Sequence, residues 1–342
     1  MNVTRTLPGP LYGSGHGKPR RRVAPTVRWD VLRLQIISAI LGLAALPTAP
    51  PEQTRAMWVW DAPPLLHDTA ARTRFLTFCA RERIGRAWIQ VGADDDARLR
   101  DAPAWRVLLA DAHASGLAID ALDGSPDYVL PERHAEVLNV VNAVIAYNRS
   151  TGPASRFDGI HMDNEPYLLP GWQDLARREW LLRNLLELST AIKASAAANG
   201  LAFGVDIPFW WHAPDPETGQ AIGAVTFNDK RKPASFHLLD LADQVGIMDY
   251  RNRAEGSDGL IAHAEGLLSY AESSRATVFV GIETVAAQLP KLTFFSHTRE
   301  DMGHQLEIAE RAFRRFRSYT GVAIHDYTGY QVLAGKRPAT AP

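Results

Sequence analysis

The chain of 342 residues contains a single cysteine, Cys79. No internal disulfide can form, and no cysteine-built metal cluster is available. Charge of one sign is also missing. The formal net charge is -1, so the chain carries no field that would draw nucleic acid or an acidic polymer. Long apolar runs are scarce, and the main one, LQIISAILGLAAL at 34–46, is too short for a comfortable membrane span. The apolar runs that read as strands do not end in a phosphate-binding loop, a dinucleotide fingerprint or a serine nucleophile elbow. Nucleotide-driven, nicotinamide-dependent and serine-nucleophile chemistry are therefore set aside, and no cofactor is implied.

What is present begins with a leader. Residues 1–33 are rich in Gly, Pro and Arg, with KPRRR at 18–22, and show no apolar periodicity. This composition predicts disorder. The apolar run at 34–46 and the small, Pro-rich residues after it make 34–50 resemble a signal peptide or membrane anchor. The expectation is an exported or envelope-tethered protein. Residues 336–342 are expected to be a disordered tail, and the oligomeric state is left open. Cys79 sits in FLTFCARER, a helical pattern, where a buried, inert thiol is expected.

From residue 55 onward, short β-type runs alternate with helical patterns. The runs are 56–60, 86–92, 117–124, 157–163, 201–210, 244–250, 277–283 and 321–327, eight in all. Helical patterns occupy 68–83, 132–148, 172–198, 258–274 and 300–318, among others. Gly116, Gly200 and Gly321 stand where helices give way to strands and read as helix C-caps. Strand–helix alternation predicts a parallel sheet. Eight repeats fit a closed (β/α)8 TIM barrel of one domain, 55–335, with a short or missing last helix.

Side chains alternate along a strand, one toward the barrel axis and the next toward the helices. In the fourth run Ile160 and Met162 suit the helix side, which turns His161, Asp163 and Glu165 inward. The same parity turns in Trp88 and Gln90, Asp120, Asp206, Met248 and Tyr250, Gly281 and Glu283, and His325 and Tyr327. A barrel interior is normally filled by branched apolar residues, and these enzymes do their chemistry at the C-terminal strand ends. Unpaired buried carboxylates are costly. A gathering of Asp120, Asp163, Glu165, Asp206 and Glu283 with Gln90, Tyr250 and His325 therefore reads as a site. Each of these acids taken alone could equally cap the next helix.

Carboxylates without thiols or phosphate loops suit glycoside hydrolysis, which needs one protonated acid and one ionised group at the anomeric carbon. Asn164-Glu165-Pro166 resembles the motif that ends strand four in the clan A retaining glycosidases. The resemblance implies Glu165 as acid/base, Asn164 as a ligand of the sugar 2-hydroxyl and Glu283, at the end of strand seven, as nucleophile. Asp158 to Glu165 also resembles the DxxDxDxE signature of family 18 chitinases, and Met248-Asp249-Tyr250 resembles their Met-x-Tyr. That likeness implies Glu165 as acid and Asp163 as the residue orienting a substrate N-acetyl group that itself attacks. His161 stands where that signature has Asp, Asn164 where it has Trp, and strand eight lacks the expected Trp.

Aromatic residues at the strand ends suit sugar rings, whose C–H faces pack on aromatic planes. Trp58 and Trp60, Trp210 and Trp211, and Tyr330 are the candidates, while Trp172 and Trp180 read as core. The leading expectation is a retaining hydrolase of a poly- or oligosaccharide. Three others stand beside it: a substrate-assisted hydrolase of N-acetylated sugars, a metal-dependent hydrolase using His161, Asp163, Glu165, Asp206 and His325, and a non-catalytic carbohydrate-binding barrel.

Overall fold

The computed structural model describes residues 54–335. Ten strands occur: β1 (Arg55–Val59), β2 (Ile84–Gln90), β3 (Ala118–Asp123), β4 (Gly159–Met162), β5 (Ala202–Pro208), β6 (Ala224–Phe227), β7 (Lys230–Pro233), β8 (Gln244–Met248), β9 (Thr277–Glu283) and β10 (Tyr319–His325). The helices are α1 (Pro63–His67), α2 (Thr69–Glu82), α3 (Ala102–Ala114), α4 (His134–Ser150), α5 (Leu175–Ala197), α6 (Ala234–Leu241), α7 (Leu260–Ala271), α8 (Arg299–Phe313) and α9 (Tyr327–Gly335). Eight of the strands close a barrel in the order β1-β10-β9-β8-β5-β4-β3-β2. Every neighbouring pair in it is parallel. The chain thus forms a (β/α)8 TIM barrel with a short last helix.

Local chemistry sets the helix starts. The carboxylates of Asp68 and Asp174 accept from the Ala70 and Arg177 amides, and Thr298 and Asp301 form a reciprocal capping box. Gly116 and Gly200 do adopt positive φ, +78 and +69°, after α3 and α5. Gly321 is a correction: it lies inside β10, where a Cβ would meet the Thr54 carbonyl oxygen at 2.1 Å. Its role is close strand approach rather than a cap.

The strand alternation is as the sequence implies. Met57, Val59, Ile160, Met162, Val205, Ile207, Val245, Ile247, Val278, Val280, Ile282, Val322 and Ile324 pack outward under the helices. Inside the barrel lies a separate cluster of Ala56, Trp58, Trp88, Leu122, Phe279 and Ala323. Trp58 and Trp88 meet edge-on at 4.5 Å between centroids. Trp58 fits because the strands facing it are hollowed by glycine. A Cβ on Gly281 would stand 3.1 Å from the Trp58 ring, and one on Gly246 3.3 Å from it. Large residues on one wall thus interdigitate with small ones on the other.

The segment 209–235 holds the β6–β7 hairpin. Asn228 and Asp229 both take positive φ at its turn, as a type I′ turn requires. Cys79 is buried in the core, and burial pushes its thiol pKa upward. Residues 1–33, 34–50 and 336–342 lie outside the described residues. Among the described residues no helix is long and apolar enough to cross a membrane.

Candidate active site

The site rises from the floor of the barrel to its C-terminal mouth. At the floor, His161 on β4 lies flat against Trp88, with ring centroids 4.0 Å apart and planes at 18°. Gly204 makes room for it, since a Cβ there would lie 2.3 Å from His161 Nδ1. Neither ring nitrogen has a hydrogen-bond partner. Burial lowers the imidazole pKa to about 3, so the ring is neutral.

Asp206 reaches over from β5. Its Oδ2 accepts from the Trp58 indole N–H at 2.8 Å, and its Oδ1 stands 3.0 Å from His161 Nε2 without hydrogen-bond alignment. Gly246 clears its path, because a Cβ there would fall 2.1 Å from Asp206 Oδ1. A carboxylate is thereby supplied from the neighbouring strand beside the very position where the family 18 signature has one and this chain has His161.

Asp163 follows β4. Its backbone N–H donates to the Asp123 carbonyl at 3.0 Å, and its Oδ1 is buried without a partner. Glu165 lies two residues on, half-buried, with the Tyr167 hydroxyl donating to its Oε2. The carboxyls of Asp163, Glu165 and Asp206 are all raised. Burial pushes the Glu165 carboxyl up to about 7, with the Asp206 charge adding to it and His325 opposing it. Asp163 is driven well above the usual range by burial, then by Asp206 and Glu165, and Asp206 rises chiefly by burial. Tyr250, just past β8, is kept protonated by burial and by the acids around it, Asp163 first.

Folding therefore favours the protonated acids, and the stability they permit is lost as pH rises. For Glu165 the window runs from its ordinary 4.5 to about 7. Asp206→Asn is expected to melt at a higher temperature than the wild type at pH 8, with a smaller fall in Tm between pH 5 and 8. Thermal melts across that range check it, and an unchanged pH slope would contradict the charge cluster.

The opposite wall is a second group. His325 ends β10 beside Glu283 at the end of β9, in register. His325 Nδ1 lies 2.9 Å from Glu283 Oε2, and the Trp60 indole N–H donates to His325 Nε2 at 2.9 Å. The His325 ring stands 5.7 Å from those of Tyr250 and Trp58.

Several candidates stand elsewhere. Asp120 is not at the mouth: it is the third residue of β3, buried and paired with Arg86 at 2.6 Å. Asn164 faces away from the axis, accepting from the Ser125 amide at 3.4 Å. Tyr327 belongs to α9 and packs edge-on against Phe75 and Phe78, because the chain leaves strand geometry after His325. Tyr330 is fully buried and donates to Glu82 at 2.7 Å. Trp211 is core, while Trp210 is half-buried in a cluster with Tyr167 and Trp172. Trp172 is core as expected, but Trp180 is 38% exposed under Arg177. Gln90 is half-buried at the end of β2 and lines grooves beside the mouth with Gly92 and Arg100. Tyr167 was not read as a site residue; its signal was its place two positions after Glu165 in the turn opened by Pro166.

Among the described residues no three His, Cys, Asp or Glu side chains are placed to hold a metal ion.

No protein-family model and no curated protein matches the chain. Solved structures do resemble it. A chitinase from Bacteroides thetaiotaomicron superposes with a TM-score of 0.50 at 12% identity, over 81% of this chain and 90% of its own. A family 18 chitinase from Cycas revoluta in complex with (GlcNAc)3 gives 0.48 at 11% identity, over 81% and 95%. A chitinase from Chromobacterium violaceum gives 0.43 at 14% identity, over 68% and 69%. The likeness is one of fold, the closed parallel barrel.

Proposed function

We propose that the chain is a glycoside hydrolase that cleaves N-acetylated amino-sugar chains with the help of the substrate's own acetamido group. The observation that carries this reading is that Asp163, Glu165 and Tyr250 lie close enough for the acids' charges to act on one another and on the phenol, while Asn164 accepts from the Ser125 amide and Glu283 stands 2.9 Å from His325. Both resemblances name Glu165 as proton donor. They part on what attacks the sugar.

In this reading Glu165 gives its proton to the glycosidic oxygen as the bond to C1 breaks. The acetamido carbonyl oxygen attacks C1 and closes a five-membered ring. Asp163, in its ionised form, accepts the acetamido N–H and offsets the charge that forms there. The protonated Tyr250 hydroxyl is a donor for the acetyl oxygen. Glu165 then takes a proton from water, whose oxygen opens the ring at C1 with overall retention. Asp206 sits behind Asp163 and can hold a proton while Asp163 is charged, since adjacent buried carboxylates do not both ionise. Residues 34–46 are kept in this reading as an export signal or tether.

Chromogenic disaccharides test it. The expected result is release from a β-linked N-acetylglucosamine disaccharide and none from the matching glucose disaccharide, with inhibition by a thiazoline mimic of the ring intermediate. Equal cleavage of both would overturn substrate assistance and return Glu283 to the role of attacking carboxylate. Tight glycan binding without turnover would mark a non-catalytic barrel.

A further inference from the structure

The Glu283 carboxylate is taken up by its surroundings. Its Oε1 accepts from the backbone N–H groups of Thr284 at 2.7 Å and Val285 at 2.6 Å, and its Oε2 faces the His325 ring at 2.9 Å. Two of the roughly four acceptor positions of a carboxylate are then occupied by N–H donors, and the His325 Nδ1 contact is a close ion pair without hydrogen-bond alignment. The imidazole is held from its other side as well. Because Nε2 accepts from the Trp60 N–H, the ring proton of neutral His325 sits on Nδ1, toward Glu283. The His325 backbone is fixed too, since its carbonyl accepts from the Thr284 amide and, at 2.8 Å, from the Thr284 hydroxyl. Three neighbouring strand ends, β9, β10 and β1, thus grip one ring.

That ring is the imidazole at the mouth. The titratable groups around it are Glu283 on β9, Asp326 next in the chain, Asp163 and Glu165 after β4, Asp206 on β5 and Tyr250 after β8. Its positive form steadies the negative form of all three clustered acids.

We propose that Glu283 is a positioning residue rather than the attacking group: the Trp60 N–H holds the neutral ring with its proton on Nδ1, the Glu283 carboxylate opposite favours the charged ring, and charged His325 is the counter-charge to Asp163, Glu165 and Asp206. The inference rests on the function proposed above for its kinetic consequences, but the clamp on the ring does not. Burial works against a charge on His325, and the Glu283 carboxylate overrides it, leaving the ring more basic than an ordinary histidine. Losing Glu283 makes the ring easier to deprotonate. Glu165 then loses a nearby cation and keeps its proton to higher pH.

The experiment is a nitrogen-15 NMR titration of the histidine rings in the full chain and in Glu283→Gln, Glu283→Asp and Trp60→Phe, alongside pH profiles of kcat and KM on the N-acetylated disaccharide. In Glu283→Gln the His325 resonance is expected to titrate at lower pH and to lose its single-tautomer signature. Its kcat falls about tenfold, equivalent to about 1.4 kcal/mol. KM stays near the wild type, the alkaline limb of kcat/KM moves up, and azide restores nothing. Glu283→Asp recovers part of the shift. Trp60→Phe, which removes only the donor to Nε2, moves the ring's titration upward.

An unmoved His325 titration in both Glu283→Gln and Trp60→Phe would overturn the clamp. A collapse of kcat that azide rescues with formation of a glycosyl azide would overturn the positioning role and make Glu283 the nucleophile. If no amino-sugar substrate is turned over by the wild type, the functional reading fails while the ring titration still decides the clamp. Should Glu283→Gln not fold, Trp60→Phe and Glu283→Asp carry the same comparison.

Discussion

Glu165→Gln is expected to lower kcat/KM on an N-acetylated disaccharide by about 10²–10⁴-fold, the range that a positioned general acid supplies. KM should change little, because glutamine keeps the size of the side chain and can still accept from Tyr167. The argument rests on the environment of the carboxyl. Burial and the charge of Asp206 hold its pKa at about 7, so a large fraction is protonated at neutral pH. An ordinary glutamate would be almost wholly ionised there. The wild-type alkaline limb should accordingly fall near pH 7, and the variant should lose that limb. A pH–rate profile with its alkaline limb intact in Glu165→Gln would place the acid elsewhere.

The second large effect concerns the barrel interior. Trp88→Ala is expected to destabilise the fold by about 3–5 kcal/mol, the usual range for truncating a buried tryptophan. Trp88 is fully buried, touches Trp58 and Phe279 edge-on and carries the flat face of His161. Denaturant titration checks the magnitude. His161 would also lose its stacking partner, so the acids above it should loosen, and activity should fall by more than the unfolded fraction explains. Activity that tracks the folded fraction alone would detach the floor from the site.

The eight barrel strands were legible because each is an apolar run whose two faces differ, one under helices and one on the axis. Parity then placed Asp163, Asp206, Glu283 and His325 correctly, since a period of two leaves no other choice once the outer face is known. It failed where the strand stopped. Tyr327 was carried inward on the same count, but the chain turns into α9 there and the period changes to 3.6. Asp120 has the right parity and the wrong height, and Arg86 at the start of β2 claims it. Alternation reports a direction from the strand and says nothing of depth along the axis. Trp211 reads as a sugar-stacking aromatic because the turn Phe209–His212, which folds it under Tyr167 and Trp172, has no periodic pattern. The hairpin of β6 and β7 carried a readable sign in Asn228-Asp229, but both strands are only four residues long and β7 is charged.

The glycines of the inner wall were the least legible feature. Gly204, Gly246 and Gly281 look like weak points in apolar strands until the bulk of His161, Asp206 and Trp58 opposite them is known.

The seam between β1 and β10 has a bearing on how the molecule comes into being. Trp60 and His325 are 265 positions apart, yet they are hydrogen-bonded partners. Every barrel pairing except the two made by β10 can form before the last strand is made, and the one with β1 closes the ring. Contacts of such sequence separation form late and slowly. An assembling chain would therefore hold Asp163 and Glu165 in place on β4 before it acquires the imidazole that balances them. Catalytic competence should then lag behind the appearance of barrel structure during refolding, arriving with the closure of the ring of strands rather than with its growth.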